Sequence, residues 1–276
     1  MQWIVLSAAM LASPAIPQST PHDARVPIVV RGRSGEVTRA YVDRVARPEP
    51  GRQLARWNAP LCVTYDGVEK GFARFIHARI AATAGKFGLK MAGPRCSTSV
   101  VIKLTDQADA LARDLVRTSP PQVGSVTSGR AIPRRTIDAL TTPRTIRWLT
   151  ASATVGADGE SISAEGNRVW MPSLIRSTTR EDLHTKIIII DSARLANVSL
   201  NQLADYIAFV TLASPDVAAD FTDTDSIMAL FAGGGSARLT QQDIAFLEAL
   251  YTISPARTAA VQKRAIGKRM TSGTSR

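Results

Sequence analysis

One ordered run near the C-terminal end constrains this chain more than any other feature. Asn197 to Thr211 (NVSLNQLADYIAFVT) is apolar at helical spacing, and after residues 212–225 comes Ser226-Ile227-Met228. Leu239 to Tyr251 then reads as a second helix, with Thr240 as its N-cap and Asp243 in its first turn, where a carboxylate meets the positive end of the helix. Two helices around an irregular loop cannot supply a sheet, so the sheet must come from upstream. Leu61–Tyr65, Ser99–Leu104, Arg144–Val155 and Lys186–Asp191 have the β-branched and aromatic content of strands. The last is so continuously apolar that it is expected at the sheet's centre. Between the first two strands, Val68, Phe72, Phe75, Ile76, Ile80 and Thr83 recur on one helical face, with Asp66 as the expected cap and Gly88 as the stop. Asp106 is expected to start a short helix through Leu115. Strand, helix, strand, further strands and two final helices make an α/β or α+β pattern, of which α+β is the expected fold class.

The flanks read differently. Trp3–Ala12 is a short apolar run followed by Ser13-Pro14-Ala15, so 1–15 is expected to be a signal peptide, although no Lys or Arg precedes the run. About ten apolar residues are too few to span a bilayer as a mature helix. The expected location is therefore periplasmic or secreted. Residues 16–56 are Pro- and Arg-rich and are expected to be extended, with Ile28–Val30 and Val37–Val45 as short strands or an arm. Residues 57–255 form the expected ordered domain, and 256–276 a basic flexible tail. Residues 118–143 read as loop, and a segment near Val169-Trp170 is expected to pair with 144–155 as a hairpin.

An apolar fraction of 45% excludes wholesale disorder, and aromatics at 5% leave the core to Ala, Leu, Ile and Val. The net charge of +11 draws a chain toward phosphates, anionic lipids or acidic glycans, but most of it is spread as surface basicity. It concentrates at Arg130, Arg134 and Arg135 and at Lys263, Arg264, Lys268 and Arg269. No nucleic-acid motif or stacking aromatic accompanies either group, which argues against a nucleic-acid partner. In an exported protein Cys62 and Cys96 read as one disulfide, the alternative being two buried thiols; without neighbouring His they do not read as a zinc site.

The order of helix 197–211, Met228 and helix 239–251 resembles the active-site helix, Met-turn and closing helix of metzincin and matrixin-like zincins. The resemblance spans about residues 58–251, and its specific part is 197–251. In that family two His at i and i+4 bind zinc, and a Glu after the first His activates water. The best register places Asn201, Gln202 and Asp205 at those positions, Ala208 at the following Gly and Thr211 at the third His. Asn and Thr are poor zinc ligands, and Gln cannot take a proton from water. What the resemblance implies is therefore a zincin-like frame: a mixed twisted sheet, an N-terminal helix, a degenerate active-site helix packed through Leu203, Ile207 and Phe209, and a C-terminal helix. It implies no catalytic residue, metal or cofactor. The expected role is structural, or the binding of a peptide or protein along a sheet edge.

Two alternatives stand beside this. A hydrolase with an unconventional site would use Asp205 with His184, or with the acidic group Asp220, Asp223 and Asp225. A basic envelope-associated protein would bind anionic lipid or glycan through its arginines. His22 lies in the extended segment, His77 reads as a structural histidine on the first helix, and His184 falls in an apparent charged turn beside Glu181 and Asp182. The acidic group reads as a solvated loop, lacking an EF-hand pattern. Gly233–Gly235 reads as a turn, and no Gly-x-Ser-x-Gly elbow is present.

Overall fold

The computed structural model describes residues 35–118, 124–125, 132–160 and 177–272. Its sheet is organised around β5 (Thr179–Asp191), whose Ile188, Ile189 and Ile190 are fully buried, as expected for a strand covered on both faces. On one side β5 runs parallel to β2 (Val100–Thr105), and β2 parallel to β1 (Val63–Asp66). On the other side it runs antiparallel to β4 (Ile146–Gly156), with the two-residue β3 (Gly124–Ser125) parallel beyond. The order β1-β2-β5-β4-β3 is thus a mixed sheet of four main strands in an α+β fold.

Side chains alternate across a strand, so neighbouring residues of β4 reveal both covering layers. Trp148 donates to Pro215 O at 2.7 Å and packs edge-on against Tyr206 of α5 (Leu200–Ala213). Arg147 turns the other way, to Asp109 of α3 (Ala108–Thr118) and Leu140 of α4 (Arg134–Thr141). On the α5 side, α2 (Lys70–Gly85) and α6 (Gln241–Thr252) both pack on α5. α1 (Gly35–Val45) packs on α7 (Ala259–Ser272), which also leans on α6.

α5 and α6 fall within three residues of their expected bounds, each opened by a reciprocal capping box, Ser199 with Gln202 and Thr240 with Asp243. Cys62 and Cys96 form the expected disulfide, with Cα atoms 5.9 Å apart, closing a loop worth about 3–4 kcal/mol on the chain-entropy model. Among the described residues no helix is long and apolar enough to cross a membrane.

Several expectations need correction. Residues 35–45 are helical rather than extended, because Thr38, Tyr41, Val42 and Val45 bury one face. The 256–276 segment is not a loose tail up to Ser272: Gln262, Ile266 and Met270 are buried at i, i+4 and i+8, and Gln262 Oε1 accepts from Leu54 N at 2.8 Å. Helix α2 is capped by Glu69, which accepts from Gly71 N and Phe72 N, while Asp66 pairs with Lys103. Within 118–143 lie β3 and α4. The partner of β4 is β5, whereas Val169-Trp170, the 1–15 segment, Ile28–Val30 and His22 lie outside the described residues.

Candidate functional site

Leu203 through Ala213 of α5 are all buried, so its polar side chains need partners inside the protein. Asp205 takes Arg79 Nη1 at 2.6 Å and Leu239 N at 3.2 Å. The other terminal nitrogen of the same guanidinium donates to Asn201 Oδ1 at 2.7 Å. Arg79 therefore bridges the two positions one turn apart, and its charge also lies 5.7 Å from the Phe75 ring centre. Gln202 is spent on the cap: its Oε1 accepts from Ser199 N at 3.1 Å and from the Ser199 hydroxyl at 2.9 Å. Thr211 offers its carbonyl to Trp57 Nε1 at 2.8 Å and to Lys186 Nζ at 3.0 Å, while its hydroxyl is buried without a partner.

Lys186 is wholly buried, and its ammonium also reaches Val210 O at 2.6 Å, at the negative end of α5. Burial pushes its pKa well below that of an ordinary lysine. The four α5 positions therefore go to separate partners: Asn201 and Asp205 to α2, Gln202 to its own helix start, and Thr211 to β5 and Trp57.

Met228 lies in the 3-10 turn Ile227–Phe231, which packs against α5. Asp243 of α6 holds that turn. Its carboxylate accepts from Tyr41 Oη at 2.7 Å, Ser226 Oγ at 2.5 Å, Ile227 N at 2.9 Å and Thr240 N at 2.9 Å. Burial raises its pKa, against the pull of these donors. Met228 lines a cavity of about 440 Å³, walled also by Arg144, Arg194, Trp148 and Tyr206 and by Phe221 and Phe231. A second cleft of about 170 Å³ holds Glu181, a buried carboxylate that accepts from Ser152 Oγ at 2.6 Å and Thr154 Oγ1 at 2.7 Å, with Arg52 at 3.7 Å.

His184 is exposed at the bulge where the β4 pairing steps from Ala151 to Ser152. The expected charged turn there is strand, with Glu181 turned inward. Asp205 has its own partners, and the two residues share neither a contact nor a cavity among those described. His77 packs against the Tyr65 ring, with centres 6.2 Å apart. Asp220 accepts from both the hydroxyl and the amide of Thr222, which pull its pKa down. Among the described residues no group of three or more His, Cys, Asp or Glu is arranged to hold a metal ion.

Arg79, Arg144, Lys186 and Glu181 escaped the reading of the sequence. Only Lys186 left a signal there, as a charge opening an otherwise apolar strand. No family model, curated protein or solved structure matches the chain.

Proposed function

We propose that the protein is a zincin-like, catalytically inactive exported protein that binds a peptide or protein. The observation that carries this reading is the Arg79 guanidinium, hydrogen-bonded to Asn201 and Asp205 at once. A metal there would have to displace a fixed cation, and Gln202, at the position of the general base, is already the partner of Ser199.

Other observations support the frame. The element order runs β1, α2, β2, then β4 antiparallel to β5, α5, the Met228 turn and α6. The Cys62–Cys96 disulfide agrees with an oxidising compartment. A peptide role is supported by β4, an 11-residue strand flanked on its outer side, among the described residues, by only the two residues of β3. Strand addition needs such an edge.

The test is to strip the protein with chelator, equilibrate it with zinc, and measure bound metal and peptide cleavage. The expected result is substoichiometric zinc and no cleavage. Stoichiometric zinc together with cleavage, both abolished in Asp205→Ala, would overturn the reading.

A further inference from the structure

The cavity lined by Met228 contains a charge that no carboxylate among the described residues neutralises. Arg144, at the foot of β4, is half-buried and donates Nη1 to Val217 O at 2.8 Å. Its Nε is buried without an acceptor, and among the described residues no carboxylate pairs with it. Arg147, three residues on, has the same orphan Nε, but Asp109 neutralises it. Arg194, in the cavity wall, is likewise paired, with Asp191 and Asp109. Asp220 also lines the cavity, where it is exposed and its carboxylate is engaged by Thr222. Burial, with a smaller contribution from the neighbouring Arg147, lowers the pKa of Arg144.

Aromatic and aliphatic side chains form one part of the wall, while polar atoms make up the larger share of the surface the cavity exposes. Tyr206 and Phe231 meet edge-on with centres 5.0 Å apart, and Trp148, Phe221 and Met228 complete the apolar part. A cavity of about 440 Å³ lies within the roughly 300–1,000 Å³ range of small-ligand sites.

We propose that this cavity binds a carboxylate attached to a bulky apolar group, with the Arg144 guanidinium taking the carboxylate and the Trp148, Tyr206 and Phe231 rings the apolar part. A guanidinium is a planar fork of donors that suits a carboxylate; Arg144 Nε is closed to solvent and Nη1 already meets Val217 O, so the contact falls to the terminal nitrogens, Nη2 first. Two sources offer this chemistry: a small aromatic acid, or the C-terminal residue of a peptide. The peptide source deepens the binding role proposed above and rests on it.

The experiment is calorimetric titration of the full chain with N-acetylphenylalanine, its amide, a tripeptide ending in phenylalanine, and the same tripeptide amidated. The acids are expected to bind, and each amide to bind roughly ten- to a hundredfold more weakly. Arg144→Gln is expected to lose the same factor for the acids while keeping its unfolding midpoint. Binding of both acids assigns the site to a peptide C-terminus, and binding of the small acid alone assigns it to a free carboxylate. No binding of either acid at millimolar concentration, or equal binding of acid and amide, would overturn the proposal. The acid–amide comparison uses the unaltered protein, so it stands even if the variant fails to fold. Zinc-dependent cleavage would defeat the non-catalytic reading alone, whereas acid and amide binding alike would defeat this one alone.

Discussion

The two sides of α5 meet charge in opposite ways. Toward α2, Asp205 is closed off by Arg79 and by the Leu239 amide, and the remaining guanidinium nitrogen is taken by Asn201. Toward the Met228 turn, Tyr206 borders a cavity in which Arg144 has a carbonyl partner and, among the described residues, no carboxylate paired with it. Both arginines are partly withdrawn from water, but among the described residues only Arg79 has a counter-ion. Charge that fastens one element to another is neutralised by a partner already held in place, because an unpaired buried ion costs more than a lost contact. A cation left open beside aromatic rings does no fastening, so an incoming anion has the most to gain there.

This contrast is broken most severely at the best satisfied buried carboxylate. Asp243 gathers Tyr41 of α1, Ser226 and Ile227 of the Met228 turn, and the Thr240 amide at its own helix start. Asp243→Ala leaves these donors facing a void, and a loss of about 3–4 kcal/mol in urea unfolding is expected. Asp243→Asn, which keeps one acceptor oxygen, should lose less. A cost under about 1 kcal/mol for the alanine variant would mean that closed networks do not carry the fold.

The next test lies on the α2 side. Asp205→Ala strands a partly exposed arginine with Asn201 as its remaining side-chain acceptor, and Arg79→Ala strands a buried carboxylate with one amide donor. Each is expected to cost about 2–3 kcal/mol, below the range for fully buried pairs because the Arg79 side chain is 28% exposed. The double variant should cost less than the sum, with a coupling of at least about 1 kcal/mol. Additive losses would show that the pair is incidental, and the argument about the displaced metal position would weaken with it.

What the sequence showed of this architecture was what is written locally. Helix α6 was legible from its Thr240 cap and α5 from its apolar fill; β5 was legible from its run of isoleucines. Helices α1 and α7 were not, because each buries its apolar face partly on the other, more than 200 residues away in sequence. The β5 bulge hid the inward turn of Glu181, since one extra residue shifts the side-chain alternation. The candidate site was half legible. Asn201, Gln202, Asp205 and Met228 could be chosen from the pattern of one segment, but the residue that binds two of them, Arg79, lies 122 and 126 positions away. Arg144 announces nothing in sequence; it differs from the other arginines only in what surrounds it.

The smallest effect is expected on the open side of α5, and it is the one that sharpens the contrast. Arg144→Gln removes a cation that, among the described residues, has no ion pair to lose, and with it one hydrogen bond, to Val217 O. The loss of that bond, worth about 1 kcal/mol, is offset by relief of the desolvated charge and its orphan Nε. The unfolding free energy should therefore change by no more than about 0.5 kcal/mol in either direction, the range of substitutions that break no network. Arg147→Gln, in the same strand but with Asp109 as its counter-ion, should cost several times as much under identical conditions. Equal costs for the two variants would place Arg144 among the arginines that hold the fold together, and would remove the physical reason for expecting an anion beside it.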